Sequence, residues 1–354
     1  MSFQFELGES VEAGVRRIIG EQLTQAAQEL RSAAPRTADA AIHSARKRLK
    51  RVRAVLRLVR GELGEPVFSR ENQSLRDAAA NLSEARDAAV LVTTLDELKG
   101  RIDPEAFADA RKRLAARRRR VKRRVLDAGR GLTSAAATLE HVNARSDTWR
   151  VEKDAWRALD VKQTYRRARA AHQIAHVGAD AELFHEWRKQ VKHLWHQLEV
   201  VEPIWPKVIR ELSDQAHDLA DLLGKDHDLA VLKDVLEAES PTPAQGNAAP
   251  SAVVEVVDAT RADLQRQAQA LGARVFAERP KAFARRLAAY WRAWQTEVAG
   301  AVQAEPAVTL TPPGPDDTPP AATGPDAVTE PTDPGAGAAG AIAPVLPSPQ
   351  AKSA

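Results

Sequence analysis

The sequence predicts an all-α fold: two antiparallel four-helix-type bundles related by a pseudo-twofold, with a disordered C-terminal tail. Three observations predict it. The first is an internal repeat. The stretch His43–Arg53 recurs as His185–Trp195, and both copies keep Arg at +3, Lys at +4 and Lys at +7 from the histidine. A second motif follows each copy, Leu82–Leu91 and Leu223–Leu232, aligned on Asp87 and Asp228. His43 lies 44 residues before Asp87 and His185 lies 43 before Asp228. Two motifs in one order at nearly one separation mark two related halves, about 8–148 and 149–302, each long enough to build a core. The second observation is apolar residues at helical spacing, with little strand signal. The third is the segment 303–354, which holds 12 of the 21 prolines among Ala, Gly, Thr and Asp. Such a composition cannot bury enough apolar surface to offset chain entropy.

Residues 1–7 alternate and are expected to be extended. From Ser10, Val11, Val15, Ile18, Ile19 and Leu23 fall on one helical face, and Ala33-Ala34-Pro35 ends that helix. The first histidine stripe follows on a helix running to about Arg60, closed by Gly61 and Gly64-Glu65-Pro66. Residues 67–98 read as one long helix. Asp103-Pro104 opens the next, with proline where its missing donor costs nothing. In the second half, Tyr165-Arg166-Arg167 occupies the first helix as Arg16-Arg17 does in half one. Gly178-Ala179-Asp180 leads into the second stripe, ending near Pro203, and Lys207 to about Ala238 forms the next helix. A loop is expected at 240–250 and a final helical region at 251–300.

Composition bounds the function. With no cysteine among 354 residues, disulfides and thiolate metal sites are excluded. No stretch reaches the ~18 apolar residues of a membrane span, and no signal-type leader opens the chain, so a cytoplasmic protein with no membrane role is expected. The net charge of +4 is divided unevenly: from residue 301 the tail holds six carboxylates and one lysine, so the body carries about +9. A basic body suits a polyanionic partner.

Positions 0, +3, +4 and +7 share a helix face, so each repeat presents one imidazole and three cations: His43, Arg46, Lys47 and Lys50, then His185, Arg188, Lys189 and Lys192. Solvated faces tolerate any arrangement of Lys and Glu, whereas this spacing is kept twice. The two stripes are therefore expected to line one shared basic groove, with Arg forks and Lys point charges on phosphate oxygens. Asp87 and Asp228, set among cations, would orient Arg or Lys rather than meet an anion. Between Arg111 and Arg124, ten of fourteen residues are basic. They surround the helix, so most form a solvated face, while one edge of Arg113, Arg117, Arg120 and Arg124 could add to the site. His217-Asp218 and His227-Asp228 resemble the His-Asp pairs of metal phosphohydrolases, but half one has no counterpart histidines. No Gly-rich phosphate loop, serine nucleophile or acidic Mg²⁺ cluster is visible, so neither enzyme activity nor a cofactor is expected.

These residues resemble the CHAD domains, the conserved histidine α-helical domain family. The pattern His-x-x-Arg-x-x-x-Arg/Lys-Arg-x-Arg is matched by His43, Arg46, Lys50, Arg51 and Arg53. The second pattern, His-x-x-Arg-x-x-x-Lys-x-Leu, is matched by His185, Arg188, Lys192 and Leu194. Leu82–Asp87 and Leu223–Asp228 resemble the family's Leu-Gly-x-x-x-Asp segments, with Ser83 in place of the first glycine. The family's usual cation and Tyr are replaced by Trp195 and His196, and His227 stands where a small polar residue is usual. The resemblance, over about residues 8–300, implies a non-catalytic module that binds inorganic polyphosphate in a basic central groove and associates with polyphosphate granules. It places the two stripes, Arg51 and Arg53 at the ligand, to which Arg16, Arg17, Arg86, Arg120, Arg166 and Lys225 are added as further basic positions. The alternative partner is RNA or DNA, which the same surface would attract. Single-strand binders add exposed aromatics for stacking, and this chain is only 5% aromatic.

Overall fold

The computed structural model describes residues 2–34, 36–127, 130–151, 156, 159–178, 180–238 and 252–304. Among them are eleven α-helices and no strand. The N-terminus is not the extended segment expected, since it bends at Phe3-Gln4 and turns at Leu7-Gly8; Phe3 and Phe5 enter the core, and the Phe5 amide donates to the Val200 carbonyl at 3.0 Å. Helix α1 (Val11–Arg31) starts at Ser10, whose hydroxyl accepts from the Ala13 amide. Helix α2 (Ala38–Leu58) carries the first stripe.

Helix α3 (Arg60–Asn81) resumes at once, and the break falls later, at Gly64 with φ 72°. That left-handed conformation costs glycine nothing, and Pro66 then sits near the restart of the helix. The expected single helix over 67–98 is two, because the chain turns at Leu82 into α4 (Ser83–Asp96). The turn lets Leu75 and Leu82 join one core while Leu91 and Leu95 join another. Helix α5 (Pro104–Asp127) is capped by the Asp103 carboxylate, which accepts from the Glu105 and Ala106 amides at 3.0 Å. Helix α6 (Arg130–Ser146) had no sequence expectation. Arg145 on it reaches fully buried Glu71 of α3 at 2.7 Å.

The second half opens with α7 (Val161–Val177) and α8 (Ala181–Val201), the latter capped by Asp180 and bearing the second stripe. Helix α9 (Pro206–Ala238) follows. The final helical region divides into α10 (Ala252–Val275) and α11 (Pro280–Ala304). Backbone carbonyls around this break are satisfied from α7. Tyr165 donates to the carbonyls of Val275 and Glu278, and Arg169 to that of Phe276. The 240–250 loop lies outside the described residues, as does the expected tail beyond Ala304, where α11 ends.

Two cores hold the described helices together, and neither belongs to one half. The larger takes Ile18 and Leu23 of α1, Leu49 and Leu56 of α2, Tyr165 of α7, Trp187 and Leu194 of α8 and Phe283 of α11. The smaller joins Leu91 and Leu95 of α4 and Leu114 of α5 to Leu229 and Leu232 of α9 and Val257 of α10. Helix α2 packs on α8 and α4 on α9, so each repeated element meets its counterpart. No helix among the described residues is long and apolar enough to cross a membrane.

Candidate anion-binding cleft

Helices α2 and α8 each bury one face, Ile42, Leu49 and Val52 on the first and Phe184, Trp187 and Val191 on the second. That fixes where the cations go. Lys50, Arg53 and Arg57 of α2, with Arg76 of α3, stand across a cleft of about 480 Å³ from Arg188, Lys189, Lys192 and His193 of α8. Glu186 is the one carboxylate among the described lining residues, and it pairs with Lys189 at 2.6 Å.

Crowded cations weaken one another's charge, and burial adds to that. Lys50 keeps an exposed surface, yet burial of its ammonium and the nearby Arg188 push its pKa down to about 8. Burial, Arg188 and Lys50 together push Lys192 down to about 7. Burial and Arg53 lower Arg57 to about 9, and burial and Arg76 also lower Arg53.

The two repeats make the same contact. Arg46 Nη2 lies 3.8 Å from Asp87 Oδ1, and Arg188 Nη2 lies 3.9 Å from Asp228 Oδ1. Burial holds the Asp87 carboxyl above its ordinary value, opposed by Arg46 and Arg86. Beyond that contact the two arginines differ. Arg46 Nη1 also donates to the Ala79 carbonyl at 3.0 Å and to the Ser83 hydroxyl. Arg188 has Gly224 at the position corresponding to Ser83, and its buried Nε has no hydrogen-bond partner.

His185 and His193 stand among the cations of the cleft. His185 Nδ1 lies 3.0 Å from His227 Nδ1. Burial, then Arg188 and His185, lowers His227 to about 3, and burial with Lys189 lowers His185. His43 lines a separate recess with Arg86 and Arg118, and burial and Arg86 depress its pKa. Both stripe histidines are thus held below the ordinary histidine value, while Lys192 comes down to about 7.

Of the residues singled out from sequence, the cleft gathers Lys50, Arg53, His185, Arg188, Lys189 and Lys192, while Arg46, beside Asp87, lies outside that lining. Others lie elsewhere. Arg16 donates to Glu12 and the Trp149 carbonyl, and Arg17 to Glu9 and the Gln4 carbonyl, so both brace the N-terminal end of the fold. Arg51 points off the stripe, donating to Glu199 at 3.2 Å and stacking on Phe3. Lys47, Arg120 and Arg166 are exposed on their helices outside the cleft lining. From the basic helix it is Arg118 that reaches the histidine recess, pairing with Asp39 at 3.5 Å. The side chain of Arg124 lies outside the described residues. Arg86 and Lys225 line a different pocket with Arg101.

Sequence reasoning missed Arg57, Arg76 and His193. Arg57 was legible, since 43, 46, 50, 53 and 57 step by three and four along one face. Arg76 was not, because only the packing of α3 on α2 brings it there. His217 lies 3.4 Å from Asp221 and edge-on to Trp195, while His227 faces His185, so the two His-Asp pairs form no common centre. Among the described residues no group of three or more His, Asp or Glu could hold a metal ion.

The CHAD domain family matches this chain over residues 17–237. Among solved structures, the CHAD domain from the plant Ricinus communis is 18% identical, with a TM-score of 0.51 over 79% of this chain and 96% of that one. PptA from Streptomyces chartreusis is 15% identical, with a TM-score of 0.49 over 76% of this chain and 98% of that one. At 18% identity the likeness to the plant domain concerns the fold alone. No curated protein matches the chain.

Proposed function

Because the chain belongs to the CHAD domain family, a family associated with polyphosphate binding, we propose that it binds inorganic polyphosphate in the cleft between α2 and α8. The observation that carries this reading is the cleft lining, in which Lys50, Arg53, Arg57, Arg76, Arg188, Lys189 and Lys192 gather with Glu186 as the single carboxylate among the described lining residues, and where burial and then the neighbouring cations lower Lys50 and Lys192. A polyanion relieves that repulsion and recharges the lysines. Repeating phosphates also suit a row of cations that reads no base, and affinity comes chiefly from charge neutralisation, so it falls steeply with salt. The protein acts without catalysis, in the cytoplasm, at polyphosphate granules.

The test is binding of long-chain polyphosphate and of length-matched single-stranded RNA at two salt concentrations, with wild type and Arg46→Ala/Arg188→Ala. Polyphosphate is expected to bind preferentially, and the double substitution to weaken it by tenfold or more, on the order expected for lost charge-assisted contacts. Equal binding of both polymers, or a double variant that binds as wild type, overturns the reading.

A further inference from the structure

A second pocket lies outside the cleft, where α4, the turn after it, α9 and α10 meet, and it encloses about 290 Å³. Three cations line it: Arg86 from α4, Arg101 from the turn and Lys225 from α9. None of the three makes a hydrogen bond or an ion pair with another described residue, although Glu97 and Asp228 also line the pocket. Asp228 is engaged instead with Arg188, at 3.9 Å.

The floor is apolar. Leu98 and Leu229, each 4% exposed, belong to the smaller core, and Leu264 packs against it. Val90 completes the surface. Hydroxyls also line the pocket, among them Thr94, 7% exposed and with no hydrogen-bond partner among the described residues. The α2–α8 cleft is lined almost wholly by charged and polar side chains, whereas this pocket pairs charge with leucine.

That pairing selects a ligand class. An inorganic polymer has nothing to bury against leucine, and an uncharged apolar ligand makes no use of the three cations. We propose that this pocket binds a small organic phosphate, its phosphoryl group met by the cations that line the pocket and its apolar body on Leu98, Leu229 and Leu264. The site is separate from the polyphosphate cleft and does not depend on that assignment.

Phenyl phosphate is the probe, titrated into the full chain by calorimetry alongside inorganic phosphate and phenol. It should bind about fivefold or more tightly than either fragment, since charge and apolar contacts act together. Arg101→Ala and Leu264→Ala should each weaken it by about threefold or more while leaving polyphosphate binding unchanged. Thermal melts establish that both variants are folded, and Leu264→Met, which keeps the apolar contact, should restore affinity. Phenyl phosphate binding no better than inorganic phosphate overturns the proposal. So does affinity that is unmoved in both folded variants, or stoichiometric displacement of the probe by polyphosphate.

Discussion

Arg46 and Arg188 occupy corresponding places in the repeat, yet a single neighbour separates them. Ser83 gives Arg46 an acceptor that Gly224 cannot give Arg188, and the Arg188 Nε is left buried without a partner. An arginine already held has less to gain from an incoming phosphate than one with an unmet donor. Arg188→Ala should therefore cost about tenfold in polyphosphate affinity, and Arg46→Ala only about twofold to threefold. A side-chain β-carbon at 224 would lie 3.8 Å from Arg188 Nε, an ordinary contact, so a serine fits there. Gly224→Ser should then engage Arg188 and lower affinity. Equal losses from the two alanine variants, with Gly224→Ser silent, would refute this asymmetry even if polyphosphate binding itself stands. The contrast was visible in the sequence as Ser83 against Gly224, but its meaning was not, because nothing in the sequence places residue 224 beside residue 188.

At the scale of the helix, α2 and α8 were the most legible elements. Their 3-4 stepping set both the buried leucine and valine face and the opposite cationic face. What the facing pair does to its lysines was not legible, since a charge run on one isolated helix is simply solvated. The depressed values of about 7 for Lys192 and about 8 for Lys50 set a sign. Between these values and the ordinary lysine range near 10.5, the unfolded chain holds more protons than the folded one. Stability should therefore rise with pH from about 7 to 9 as the cleft sheds charge. Polyphosphate binding should run the other way, taking up protons and weakening over the same window. Calorimetry at pH 8 in two buffers of different ionisation enthalpy should give different apparent enthalpies, and Lys192→Met should reduce the difference. Identical enthalpies in both buffers would mean that the lysines are already charged. The break at Leu82 was hidden for a related reason. Residues 67–98 carry an uninterrupted helical pattern, and only the presence of two cores requires the chain to turn between them.

At the scale of the whole molecule, both cores draw on both halves. Helix α9 ties them, with Leu219 and Leu223 in the larger core and Leu229 and Leu232 in the smaller. A rigid helix shared in this way couples the two cores. Scanning calorimetry should show one unfolding transition. Leu49→Ala in the larger core and Leu95→Ala in the smaller should each lower it, at a cost of about 2–5 kcal/mol. Two resolved transitions, with Leu95→Ala moving only one, would show the cores to be independent.

The sequence by itself determined the all-α class, the duplicated stripes, the positions of most helices and the CHAD resemblance. The first three follow from periodicity and spacing along one chain, and the resemblance from the motif residues that match the family. Tertiary structure alone decided which cations share a cleft. It turned Arg51, Arg16 and Arg17 to structural contacts, brought Arg57 and Arg76 in, and moved Arg86 and Lys225 to a second pocket. The physical reason is that a helix sets the direction of each side chain relative to its own axis, whereas the field at a charged group depends on every helix packed around it.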